Sequence, residues 1–406
     1  MTFILLKVGL VILPFYELLV KICPFAGVQT PDTRYAKTFL GVWLALAIGV
    51  SALFSGEIRK CKNRWVLLFL LFIPLNIHLA PQYNIELNGV MSPNYWVWKP
   101  FVMYLVYFLM FLSVQSLNIT KDSFKSLLNI MVWCALVMSG YVLLQNFGWD
   151  QFFTKRIGDE FIQVTKPITV GTLGNSTIVS PYIAMIIPLA LYLRRYLTAI
   201  VLICAVVATQ SAMAMGAMIV SLLAYSCLRW KIRGVFWVFL ALVLSLSVLN
   251  GIRVLKPAIF KEMTNKISND NGRTLVWTGI VKSMKETEFG MVTKSRYPYT
   301  GLGIGSFPIL MKQELKTHFD KAHNEYLQIF SEMGIIGLFL FLAAIGYMVK
   351  TAIFSLNPEI DALLSSFLCV ALVALGSFPW QIAPIIYLTI IITGLLSNEN
   401  ILRRIT

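Results

Sequence analysis

The chain contains three histidines, His78, His318 and His323, and each has to be weighed as a proton acceptor. His78 ends an apolar run after Asn76, where interfacial packing is as good an account. His318 sits in a polar stretch that faces water. His323 opens His323-Asn324-Glu325-Tyr326-Leu327-Gln328-Ile329-Phe330-Ser331-Glu332-Met333-Gly334, with Gly337 close behind. Positions 323, 326/327, 330 and 334 recur at helical spacing, which predicts a short helix with His323 on its first turn. Two readings of His323 stand side by side. One makes it a helix cap at the membrane interface. The other makes it a general base, because a helix N-terminus and the neighbouring Lys321 both disfavour imidazolium and keep a neutral acceptor nitrogen near pH 7. Glu325 acts in the opposite direction.

A second candidate is Asn271-Gly272-Arg273-Thr274-Leu275-Val276-Trp277. After it, Trp277, Ile280, Val281 and Met284 form an apolar stripe, with Lys282, Lys285, Glu286 and Glu288 facing away. That pattern predicts an amphipathic helix lying on a membrane. Arg273 on its first turn would either touch lipid headgroups or join the helix amides in gripping a phosphate. Arg253, Lys256, Lys294 and Arg296 are less specific, with a solvated face or lipid contact as the default.

Gly301-Leu302-Gly303-Ile304-Gly305-Ser306-Phe307 has the look of a nucleotide-binding loop but lacks the strand-to-helix setting and the downstream acid. It reads instead as a compact turn that brings backbone amides near headgroups. Gly171-Thr172-Leu173-Gly174-Asn175 is similar, with Asn175 placed to cap the following helix. Asp32 alone does not make a metal site, and no metal ligands are assigned. The six cysteines are scattered without a CxxC pair, and read as packing residues.

The elements that must position these residues follow from composition. Apolar residues make up 58% of the chain and charged ones 13%, against roughly 25% charged in soluble proteins. A mean hydropathy of +0.75 leaves too much apolar surface for a water-soluble shell, so the chain reads as an all-α polytopic membrane protein. The net charge of +15 sits in short clusters between apolar runs, as helix orientation in a membrane requires. No basic stripe with interleaved aromatics appears, so no nucleic-acid partner is expected.

Twelve runs approach the length needed to cross a bilayer. The first six are Phe3–Ile22, Ala36–Ser55, Trp65–Leu79, Phe101–Leu117, Phe124–Phe147 and Thr177–Leu193. The others are Leu197–Thr209, Ser211–Leu228, Val235–Ile252, Ile335–Val349, Ala362–Phe378 and Ile382–Leu396. Leu197–Leu228 as a single helix would be about 48 Å long, well beyond the hydrocarbon core. A break near Gln210–Ser211 also puts Arg59/Lys60/Lys62/Arg64, Lys121/Lys125, Arg194/Arg195, Arg229/Lys231/Arg233 and Arg403/Arg404 on one side. The positive-inside rule then makes that side, and both termini, cytoplasmic. The hydrophilic stretch Arg253–Ala322, with twelve Lys/Arg and six Asp/Glu, falls on the other side and looks toward an anionic substrate. A second loop there, Gly148–Val170, adds Lys155, Arg156 and Lys166. The expected organisation is residues 1–252 as nine spans, 253–322 as a long loop, and 323–406 as a surface helix and three spans.

His323-Asn324-Glu325 with Glu332, Gly334 and Gly337 resembles the signature of the O-antigen ligase and O-antigen polymerase superfamily. The His-x10-Gly spacing from His323 to Gly334 is the ligase form. Gly301 to Phe307, the Gly-Arg-x3-Trp run around Arg273, Gly171 to Asn175 and Thr209-Gln210-Ser211 fit as well, so the resemblance spans roughly residues 165–345. It implies a GT-C-like helical bundle in a bacterial inner membrane, working without metal or other cofactor at the periplasmic face. It implies transfer of a glycan from undecaprenyl pyrophosphate, either to lipid A–core oligosaccharide (ligase) or to another lipid-linked repeat unit (polymerase). By family role His323 takes the acceptor's proton and Arg273 holds the pyrophosphate. Asn324, Lys321, Arg296, Arg156, Lys166 and Asn175 are the further substrate-contact candidates. One departure stands out: where ligases present an arginine after Thr209-Gln210-Ser211, this chain has Ala212. A transporter of a lipid-linked or anionic solute is the remaining class. It would place its determinants inside broken spans near the midplane, whereas here they gather in polar loops.

Overall fold

The computed structural model describes residues 1–22, 33–56, 63–79, 86–87, 90–91, 95–149, 169–229, 273–286, 297–308, 321–354 and 357–402. These fold as helices, apart from short turns and a two-residue antiparallel ladder pairing Glu86 with Met91 and Leu87 with Val90. The longer helices are α1 (Thr2–Ile22), α2 (Thr33–Phe54), α3 (Arg64–Leu79), α4 (Tyr95–Ser116), α5 (Lys121–Asn146), α6 (Ser176–Tyr192) and α7 (Tyr196–Ala208). They continue with α8 (Ala212–Arg229), α9 (Arg273–Glu286), α10 (Glu325–Ile353), α11 (Pro358–Val373) and α12 (Ala383–Leu396).

Eleven of the twelve apolar runs fall on these helices, and the twelfth, Val235–Ile252, lies outside the described residues. Among the described residues α5, α8 and α10 are each long and apolar enough to cross a membrane. The expected break in Leu197–Leu228 is present. α7 ends at Ala208, Gln210 takes a left-handed backbone with φ 55°, and α8 begins at Ala212.

Two expected boundaries move. The run Ile335–Val349 is the later part of α10, whose first turns are set off by Gly334 at φ 65°, ψ −169°. The run Ala362–Phe378 is helical only to Val373, and Pro379–Gln381 forms a separate 3-10 turn. Gly376 and Pro379 stop the helix here, the first for want of a side chain and the second for want of an N–H. Phe378 therefore belongs to a turn instead of a span.

Burial follows composition. α6 is buried from Val179 through Ala190 and α12 almost throughout, as expected of helices apolar on every face. Outer helices turn large apolar side chains outward, among them Leu71, Val137, Ile200 and Phe339. Such a surface suits lipid better than water.

Hydrogen bonds between helix ends fix the direction of each helix. At one end, Thr2 meets Ser51 (2.9 Å), and Lys7 Nζ donates to Ser126 Oγ (2.9 Å). Asn398 Nδ2 there donates to the carbonyls of Val114 (3.1 Å) and Leu117 (2.9 Å), and Asn357 Nδ2 to that of Ile401 (2.9 Å). Arg64, Lys121, Lys125, Arg194, Arg195 and Arg229 lie at the helix termini of this end. At the other end, Gly171 N–H donates to Gln145 Oε1 (2.7 Å), and Thr172 Oγ1 to the carbonyl of Pro14 (2.8 Å). Thr169 Oγ1 donates to the carbonyl of Ala208 (3.1 Å), and the N–H of Glu325 to that of Ala374 (2.9 Å). The candidate motifs gather at this second end.

Candidate active site

His323 does not sit on a helical turn. It precedes α10 with φ 50°, a left-handed conformation that costs a side-chain-bearing residue about 1–2 kcal/mol. The cap is Asn324, extended at φ −157°, whose side chain accepts from Leu327 N–H at 3.0 Å. The capping reading of His323 is thereby replaced: a short amide one residue on reaches the helix amides with better geometry than an imidazole. The His323 ring meets Phe378 edge-on, with centroids 5.0 Å apart. Phe378 in turn stands close to Gly376, which is seated against the side chain of Met213 on the first turn of α8.

The inward face of α10's first turns is polar. Glu325, Gln328 and Glu332 are buried at helical spacing. Glu325 Oε1 accepts from the Trp380 N–H (3.1 Å), and Oε2 from Gln381 Nε2 (2.9 Å). Gln381 Nε2 also reaches Gln328 Oε1 (3.1 Å), and Gln328 Nε2 donates to Glu332 Oε1 (3.2 Å). These side chains precede Gly334 and so lie outside the apolar span that begins at Ile335. Burial pushes the Glu325 carboxyl up to about 7, opposed by hydrogen bonds from Gln381 and Trp380 and by the charge of Lys321. Burial also raises Glu332, opposed by the amides of Gly305 and Phe307, by Lys321 and by Gln328.

The Gly301–Phe307 segment is a compact turn, as expected, but its amides do not turn to headgroups. Those of Gly305 and Phe307 hold the Glu332 carboxylate, a nearer anion on the same chain. The turn is also stitched to α10 by Leu302 N–H to Ser331 O (3.0 Å) and Gly303 N–H to Glu332 O (2.8 Å). From α3, buried Asn76 grips it twice, donating to the Thr300 carbonyl and accepting from Ile304 N–H at 3.1 Å.

Arg273 stands on the first turn of α9, and its Nε is buried with no hydrogen-bond partner among the described residues. An orphaned guanidinium donor fits an anion-binding role better than a solvated one. One turn on, Trp277 Nε1 donates to the Ala322 carbonyl at 2.9 Å. The buried face of α9 carries Val276 and Ile280, while Val281 is exposed. The expected stripe of Trp277, Ile280, Val281 and Met284 is thus rotated, because α9 packs on the protein through Val276 and Trp277.

Among the remaining candidates, Lys321 is half-buried and close enough to Glu325 and Glu332 to act on both charges. Asn175 caps α6, its Oδ1 accepting from Thr177 N–H at 2.9 Å. Arg296, Arg156 and Lys166 lie outside the described residues. Ala212 is exposed at the start of α8, beside Met213. No sequence motif marks Asn76, Gln328 and Gln381, nor the structural roles of Glu325 and Glu332. Glu325, Gln328 and Glu332 did leave a signal, in three polar residues on one helical face at the border of a long apolar run.

Residues 197–342 match a family model described as O-antigen ligase. The match runs from α7 into the span of α10. It takes in Thr209–Ser211, Arg273, the glycine turn, His323, Gly334 and Gly337, and leaves out Gly171–Asn175 and the Phe378–Gln381 turn. No curated protein matches the chain.

Proposed function

From the premise that the chain belongs, through residues 197–342, to the O-antigen ligase/polymerase superfamily, we propose that it is a membrane glycosyltransferase of the ligase type. It moves a glycan from undecaprenyl pyrophosphate to lipid A–core oligosaccharide. The observation that carries this reading is the gathering of the family's separate motifs at one end of the bundle. His323 and Arg273 are linked there through Trp277 and Ala322, and Arg273 Nε is buried with no hydrogen-bond partner among the described residues.

In the proposed reaction a neutral His323 nitrogen accepts the proton of an acceptor hydroxyl as its oxygen bonds to the anomeric carbon of the donor sugar. The bond from that carbon to the pyrophosphate oxygen breaks, and the electron pair leaves with undecaprenyl pyrophosphate. Arg273 meets the charge that develops on the leaving group. Pyrophosphate leaves readily, so holding the reactants and stabilising this charge supply most of the catalysis, and the chain's own residues suffice. Lys321 and, from outside the described residues, Arg296, Arg156 and Lys166 add positive charge toward the same anionic substrate.

The basic end of the bundle, which also holds the two ends of the described chain, faces the cytoplasm in this reading. The motif end then faces the periplasm, where the long segment 253–322 also belongs. Arg229 lies at the basic end and Arg273 at the other, the alternation that a twelve-span plan requires of these neighbours.

Ala212 supports a second reading. It stands where a ligase arginine is expected, and a polymerase that joins lipid-linked repeat units is the alternative of the same fold.

The test is transfer by the reconstituted protein without added metal, offering carrier-linked glycan with and without lipid A–core. A core-dependent product lost in His323→Ala establishes the ligase. Carrier-linked ladders formed without core establish the polymerase. No transfer with native glycans removes both and brings forward transport of a lipid-linked or anionic solute.

A further inference from the structure

The left-handed backbone of His323 needs a cause, and both polar groups of the preceding residue are engaged by side chains from elsewhere. The Ala322 carbonyl accepts from Trp277 Nε1 at 2.9 Å, and the Ala322 N–H donates to Gln328 Oε1 at 3.3 Å. Ala322 itself is fully buried. The carbonyl belongs to the peptide plane that leads into His323, so the plane Trp277 holds is one side of the torsion φ of His323. The other side is fixed by the Asn324 cap and by the Glu325 N–H on Ala374.

We propose that Trp277 and Gln328 are positioning residues that hold His323 in its left-handed conformation and set its place relative to Arg273. Trp277 lies four residues after Arg273 on α9, so the two share a helix face. A single indole hydrogen bond thereby joins the element bearing the phosphate grip to the peptide bearing the base. Gln328 extends the same hold to the buried side, since its amide also bonds Gln381 and Glu332. Neither residue needs to touch substrate to act. The proposal rests on the glycosyltransferase reading for its kinetic test but not for its chemical one.

The experiment compares wild type, Trp277→Phe and Gln328→Met, each purified in detergent and checked for folding by size exclusion. Trp277→Phe keeps the ring and removes the N–H donor. Gln328→Met removes the acceptor for Ala322, and serves if the first variant does not fold. Transfer kinetics should show kcat lowered about tenfold, on the scale of one lost hydrogen bond, with KM for the carrier-linked donor within about twofold. In parallel, diethyl pyrocarbonate reports on His323 alone when the other two histidines are replaced, as His78→Gln and His318→Gln. Its rate of modification should rise at least about threefold in either variant as the hold on the backbone loosens.

Unchanged kcat together with an unchanged modification rate would overturn the proposal. So would a raised KM with kcat intact, which would make Trp277 a donor contact. Full activity of His323→Ala would remove the base assignment instead, and the modification rates would still decide whether Trp277 and Gln328 hold this residue.

Discussion

Gly301 and Gly334 stand back to back across the site, each at a backbone conformation that suits glycine. A β-carbon on Gly301 would fall 2.4 Å from the Glu332 carbonyl, and one on Gly334 would fall 2.3 Å from the Tyr299 carbonyl. Their φ angles are 72° and 65°. The glycine turn and the first turns of α10 meet backbone to backbone because neither residue carries a side chain. This contact lets the Gly305 and Phe307 amides reach the Glu332 carboxylate.

Gly334→Ala and Gly301→Ala should therefore each cost about 1–3 kcal/mol from backbone strain, before any steric displacement is added. Thermal unfolding followed by size exclusion should show both variants melting several degrees lower. Transfer activity should fall with them, since the strain lies between the turn and His323. A melting temperature equal to that of wild type would show that the two backbones can separate at no cost.

Arg273→Gln should keep the fold and lose transfer. Losing one charge-stabilising donor at a developing anion costs on the order of 100-fold in kcat. Arg273→Lys should recover only part of this, because an ammonium lacks the planar fork of the guanidinium. Turnover of the reconstituted protein decides it, and equal activity of the glutamine variant would send Arg273 back to a lipid-contact role.

Glu332→Ala should leave the Gly305 and Phe307 amides without their acceptor, at about 1–3 kcal/mol for each buried group left unpaired. Glu332→Gln keeps a carbonyl oxygen in place and should be much milder. Melting temperatures of the two variants in the same detergent test the order. If the alanine variant melts no lower than the glutamine one, the amides have found another acceptor.

Stability should also depend on pH through Glu325. Its carboxyl stands at about 7 in the folded chain, against an ordinary value of about 4.3 when unfolded. Between these values the folded state keeps a proton that the unfolded state has released, so stability falls as pH rises through this window. The fall ends once pH passes the folded value. Melting temperature should decline from about pH 5 to about pH 7.5 in wild type, and Glu325→Gln should flatten that decline. An equal slope in both proteins would assign the titration elsewhere.

The break at Gln210 was legible because it follows from length and charge alone. One unbroken helix would overreach the bilayer and would put Arg194/Arg195 and Arg229 on opposite sides. The placement of His323 was not legible in the same way. Helical spacing carried the pattern back to residue 323, but the cap competes locally for the helix amides and Asn324 wins it. The rotation of α9 was missed for a related reason. Its sequence pattern sets the stripe against a membrane, whereas Val276 and Trp277 face the protein.

What the sequence by itself determined is what local chemistry and chain length dictate: apolar helices, their ends, the basic side, and the residue types able to move a proton or hold a phosphate. The family resemblance was legible for the same reason, since it rests on residues close together in the chain. The tertiary structure decided which of those residues meet. Asn76 grips a turn 224 residues away, Phe378 packs on His323, and Gln381 completes a chain of side chains from Glu325 to Glu332. No spacing rule reaches across such separations, because these contacts depend on how antiparallel helices bring their ends together at one face of the bundle.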